Sequence, residues 1–102
     1  MKKLTLFLLF AANMAHASCD IPQAFWDWPR SADAVLSVKE IRPCIDAYLA
    51  KAGSSFVIHH GTDDESALHA DELRAWLVSL AISPSSIADA PENQKALSIE
   101  TR

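Results

Sequence analysis

The sequence predicts a small two-layer α/β sandwich, ordered β-α-β-α-β, with two helices on one face of a mixed sheet. Three observations predict it. Apolar residues recur at helical spacing in two stretches, Ile41, Ile45, Tyr48 and Leu49, then Leu73, Trp76, Leu77 and Leu80. Between them Ser55 to His60 alternates like a strand and is broken by Gly61. The chain has 102 residues, room for one small domain.

Residues 1–17 read as a signal peptide rather than as part of the fold. Lys2 and Lys3 give a basic start, Leu4 to Ala12 an uncharged apolar run, and Ala15-His16-Ala17 a small-x-small cleavage pattern. The apolar run is about half the ~20 residues that a membrane span requires, which argues against an uncleaved anchor. Lipidation at Cys19 is the other alternative, and His16 stands where that motif carries leucine. Cleavage after Ala17 leaves Ser18 to Arg102, 85 residues with 7 basic and 13 acidic side chains, a net charge of −6. An acidic chain of this kind lacks the basic patches that nucleic acids and anionic membranes need. No later stretch is apolar for long enough to span a bilayer.

Two cysteines remain, Cys19 and Cys44. In an oxidising compartment an even count predicts a disulfide, here one that staples the N-terminal segment to the first long helix. A redox or metal pair is the weaker reading, because there is no CxxC.

Residues 18–32 form an aromatic and proline-rich arm ahead of a single domain over 33–102. Within it, "DIPQAFWDWPR" has two prolines and three aromatics and predicts an extended course. Phe25, Trp26 and Trp28 are expected to cover the side of the core rather than to form an exposed patch. Asp33 to Leu36 is expected as a short strand. Ser37-Val38-Lys39-Glu40 fits a capping box opening the first long helix. Pro43 inside that helix predicts a kink or a later start, and Gly53 caps its end.

In the strand that follows, Phe56 and Ile58 share one face and Val57 and His59 the other. Thr62-Asp63-Asp64-Glu65 fits a second capping box, with three acids near the positive end of the next helix. Ser83 to Ser86 is a turn, Ile87 opens an extended piece, Pro91 to Lys95 is a loop, and "ALSIE" alternates like an edge strand.

The stretch "HHGTDDE" holds the residue types of a metal or catalytic site. Adjacent strand residues point to opposite faces, so His59 and His60 do not share an ion while both stay in the strand. The trio that turns toward one point is His60, Asp63 and His69, without the HExxH spacing of zinc proteases. No serine sits in a G-x-S-x-G elbow, and two glycines are too few for a phosphate cradle. Helix capping accounts for the acids with fewer assumptions, and no cofactor is implied.

"FVIHHGTD", the helix after it and "AWLVSLAISPSSI" resemble the C-terminal peptidoglycan-associating domain of outer-membrane protein A and its relatives. Trp76-Leu77 and Ile82 match the family's "YLxxxGI" helix end, Pro84 falls in its turn, and Ile87 opens its next strand. The resemblance covers residues 35–90. It implies binding of cell-wall diaminopimelate through the Asp of "TD", matched by Asp63, and an Arg at the helix start. That second position falls on His69, and Arg74-Ala75 reaches the family's "RA" pair only if the helix is shortened. Much of the family's loop after "TD" is missing.

The sequence therefore predicts an exported, periplasmic, non-catalytic binding or accessory domain of the cell envelope. Its expected partner is the cell wall or another envelope protein, and its ligand residues are Asp63, His69 and Arg74. The alternative is a periplasmic metal-binding or enzymatic domain using His60, Asp63 and His69.

Overall fold

The computed structural model describes residues 17–93 and 97–102. The predicted signal peptide, apart from Ala17, lies outside the described residues. The fold is a four-stranded mixed sheet with helices packed on one face, the predicted two-layer α/β sandwich. Strands β1 (Ala17–Asp20), β2 (Phe56–Gly61), β3 (Ile87–Glu92) and β4 (Ser98–Thr101) lie in the order β1-β4-β2-β3. β4 runs antiparallel to β1 and β2, and β3 runs parallel to β2. The helices are α1 (Ala32–Ser37), α2 (Arg42–Ala50) and α3 (Asp64–Ser79).

The N-terminal segment is more ordered than an extended arm. Residues 17–20 join the sheet as β1, where Cys19 pairs with Ile99 of β4. Pro22 then opens a 3-10 turn over Gln23–Asp27, its carbonyl accepting from the Phe25 N–H at 3.0 Å. A single tight turn tolerates what a long helix would not. Trp28 ends it in an extended conformation, as a residue before proline must.

Residues 33–36, expected as a strand, lie instead in α1. Ser31 is the reason: its hydroxyl accepts from the Ala34 N–H at 3.1 Å, satisfying a donor at the helix start. The expected box at Ser37 to Glu40 does not form, because Ser37 is already the last residue of α1. α2 starts later, at Arg42, which places Pro43 in the first turn, where its missing N–H costs nothing. The buried face of this region is Ile41 and Cys44, with Tyr48 stacked on Phe56 at 4.8 Å, while Leu49 turns outward. Gly53, at φ +83°, makes the left-handed turn beyond α2.

β2 alternates as predicted. Phe56, Ile58 and His60 are buried, with Phe56 and Ile58 in the core cluster, and His59 points to the opposite face. The cap of α3 is shifted by one residue from the expected box: Asp63, not Thr62, is the N-cap and accepts from the Ser66 N–H at 3.2 Å. Asp64 and Glu65 occupy the first turn, where the helix dipole favours acids. Ala70, Leu73 and Leu77 bury the inner stripe of α3 against β2.

β3 continues through Pro91 to Glu92 where a loop was expected. An edge strand permits this, since proline cannot donate to a second neighbour. "SIET" is central rather than an edge: β4 inserts between β1 and β2, and strand order is set by packing rather than by local pattern. Beneath it Thr101 Oγ1 donates to the Cys44 carbonyl at 3.0 Å. Cys19 is bonded to Cys44, 25 residues on, so its sulfur is not free for a lipid thioether. No helix among the described residues is long and apolar enough to cross a membrane.

α3 ends in a Schellman motif: the Ile82 N–H bonds to the Leu77 carbonyl and the Ala81 N–H to the Val78 carbonyl, both at distances of 3.0–3.1 Å. The left-handed position is Ala81, at φ 75°, a conformation that glycine adopts freely and alanine does not. Ala81→Gly should therefore stabilise the protein by about 1 kcal/mol in denaturant titration. Destabilisation by this substitution would contradict the strained cap.

Candidate functional site

β2 ends at Gly61, and only Thr62 and Asp63 separate it from α3, so the chain turns sharply at one end of the sheet. The 3-10 turn of the N-terminal segment packs against this corner. Between them lies a cavity of about 330 Å³ lined by Gln23, Trp26, Asp63, Glu65, Ser66, His69 and Leu97.

Two of the predicted ligand residues meet here. Asp63 holds the N-terminus of α3, accepting the Ser66 N–H on one oxygen and the Ser66 hydroxyl, at 2.7 Å, on the other. His69, further along the same helix, stacks face to face on Trp26, with centroids 4.1 Å apart and planes 3° from parallel. Phe25 meets the same indole edge-on at 4.9 Å. The cavity thus combines two carboxylates, a hydroxyl, an amide, an imidazole and an aromatic wall. Such a set fits a small polar ligand bearing an ammonium group.

Arg74 is not part of it. Its guanidinium donates to the Pro84 carbonyl at 3.2 Å and faces Asp89 at 3.5 Å, so it ties α3 to the turn before β3. The sequence placed Arg74 by motif, but on a helix it lies well over a turn beyond His69 and faces β3.

The alternative metal trio is not assembled. His60 is buried and does not line the cavity. Its Nδ1–H donates to the Gly61 carbonyl at 2.8 Å, which fixes the ring. Among the described residues no three His, Cys, Asp or Glu side chains group closely enough to hold an ion.

The clamp behind Trp26 has no local signature in the sequence. Arg30 makes two contacts with Glu72, Nε to Oε2 and Nη2 to Oε1, the latter at 2.9 Å. It also donates to the Trp26 carbonyl at 3.1 Å and the Trp28 carbonyl at 3.0 Å, and its guanidinium lies 5.2 Å from the Trp26 ring centroid. The Trp76 indole N–H donates to Glu72 at 3.0 Å. His69, Glu72 and Trp76 stand at i, i+3 and i+7, one ridge of α3. Glu72 is 42 residues from Arg30 in the chain, too far for any local pattern to pair them. The hydrogen bonds from Arg30 hold the Glu72 carboxyl below its ordinary range, helped by the Trp76 indole and opposed by burial.

Glu72→Gln keeps an acceptor for Trp76 and removes the charge. At neutral pH it should lower stability by about 1 kcal/mol, the scale of a half-exposed pair. A depressed carboxyl contributes stability above its unfolded pKa and loses it as pH falls through the folded value. In thermal melts the gap between wild type and Glu72→Gln should close on acidification. A gap that persists in strong acid would contradict the assignment.

Comparison with protein-family models, with curated protein sequences and with solved structures finds no match.

Proposed function

We propose that the chain is an exported, non-catalytic binding domain of the bacterial cell envelope, and that its ligand site is the cavity at the start of α3. One observation carries this reading. Asp63 and His69, the two positions that the resemblance to peptidoglycan-associating domains assigns to ligand binding, line one cavity.

The chemistry is consistent with a wall peptide. The Asp63 carboxylate suits an ammonium group, and its exposed position leaves it open to solvent. The His69 ring, stacked flat on Trp26, carries an N–H that suits a carboxylate of the same ligand. Arg74 has no part in this site. The charge pattern at the N-terminus, Ala15-His16-Ala17 and the paired cysteines support delivery to the periplasm. Nothing specific in the geometry favours the metal or enzymatic alternative.

The test is co-sedimentation of periplasmic protein, beginning at Ser18, with purified peptidoglycan. Asp63→Asn is the informative variant, because asparagine caps a helix as well as aspartate does but carries no charge. Asp63→Asn and His69→Ala should each lower wall binding roughly tenfold, about 1.4 kcal/mol. Asp63→Asn should leave the melting temperature almost unchanged, whereas His69→Ala also removes the Trp26 stack and should lower it by a few degrees while the protein still folds. Failure of the wild type to sediment, or full binding by both variants, would reject the reading.

A further inference from the structure

The face of the sheet opposite the helices carries a second cluster, across the sheet from the cavity. His59 stands near the end of β2 and is held on both sides. Its Nδ1 lies 2.5 Å from Glu92 Oε2 on β3, and its Nε2 lies 2.9 Å from Glu100 Oε1 on β4. Arg102, at the chain end beyond β4, donates to both oxygens of Glu100 at 3.1 Å. Asp20, paired with Ser98, shares this face from β1. Asp89 of β3 turns to the helix side and meets Arg74.

β3 needs such a contact. It is an edge strand with one neighbour, and Ile87 is its one buried residue. Ala88, Asp89 and Pro91 are exposed, and Pro91 has no N–H to give. The strand is thus fixed at its start by Ile87, in its middle by Arg74, and at its end by Glu92.

We propose that His59 is a proton-operated clasp that fastens the end of edge strand β3 to the centre of the sheet. An imidazolium has two N–H donors and satisfies both carboxylates. A neutral imidazole has one, so its other nitrogen presents a lone pair to a carboxylate. Glu100 is 17% exposed and is held by Arg102 as well, whereas Glu92 is 42% exposed at the edge and is the one released into water. The geometry agrees with the direction of titration: hydrogen bonding to Glu100, then to Glu92, raises the His59 pKa against the opposing effect of burial. A raised histidine pKa means that the clasp is complete below the unfolded value of about 6.5 and is lost as pH rises through the folded value.

The experiment is NMR on the whole chain: a titration of the His59 ring protons, with amide protection factors along β3 and β4. The His59 midpoint is expected above the ~6.5 of free imidazole. Protection of the β3 amides should fall as pH rises through that midpoint, while protection at Ile99 stays level. Glu92→Gln should abolish the β3 step, and Glu100→Gln should lower the midpoint. The clasp is overturned if His59 titrates at or below the free value. It is equally overturned if the wild-type β3 step is missing or survives in Glu92→Gln. The titration midpoint alone decides the matter if either variant fails to fold.

Discussion

The bond between Cys19 and Cys44 is the constraint on which the rest of the structure depends. β1 has four residues and one neighbouring strand, and Pro22 follows after a single further residue, so its ladder with β4 is a weak attachment. The disulfide fixes it from below to α2, across a sequence separation of 25 residues. Closing a loop of that size restricts the unfolded chain by about 3–4 kcal/mol in the entropic account. In a domain of this length that is a large share of any margin. With β1 fixed, the Ile21 N–H reaches the Leu97 carbonyl at 2.9 Å, and the 3-10 turn that follows carries Trp26 onto His69. The staple thus anchors the start of the segment whose far end Arg30 clamps to Glu72, and the cavity wall at Trp26 lies between the two.

α3 joins the core to the cavity. Its inner stripe of Ala70, Leu73 and Leu77 is buried against the sheet and sets where the helix lies. The ridge of His69, Glu72 and Trp76 beside it is half-buried and polar-tipped, and it receives the N-terminal segment through stacking and charge. Two different kinds of interaction thus meet on one helix: an apolar one that makes the core, and an aromatic and ionic one that makes the site. Asp63 serves both, since the capping that begins α3 also places a carboxylate at the cavity.

What was legible in the sequence follows from how local each signal is. The alternation of Phe56 to His60, the spacing of Leu73 and Leu77, and the even cysteine count are short-range patterns, and each leads directly to its element or bond. The left-handed turn at Gly53 is equally local. The elements that differ depend on partners far away. β1 is too short to alternate visibly, and β4 is central only because β1 and β2 flank it. Pro91 is admitted to β3 only because that strand is an edge. Two differences were local and turned on a choice between caps. Ser31 captured residues 32–37 for a helix, and Asp63 displaced Thr62 by one position, because aspartate is preferred over threonine as an N-cap. Asp63 and His69, singled out by motif position, both line the cavity. Trp26, Gln23 and the clamp of Arg30 on Glu72 were not legible, since they come from a segment folded over the helix.

The Cys19–Cys44 bond is expected to hold Trp26 against His69 and so to complete the cavity. The most direct measurement is the nuclear Overhauser contact between the Trp26 and His69 rings, recorded in the oxidised protein and again after reduction. Contacts between Ile58 and Leu73 serve as the control for the core. A strong ring contact is expected in the oxidised protein, disappearing on reduction while the core contacts remain. A Trp26–His69 contact of unchanged strength in the reduced, folded protein would contradict it.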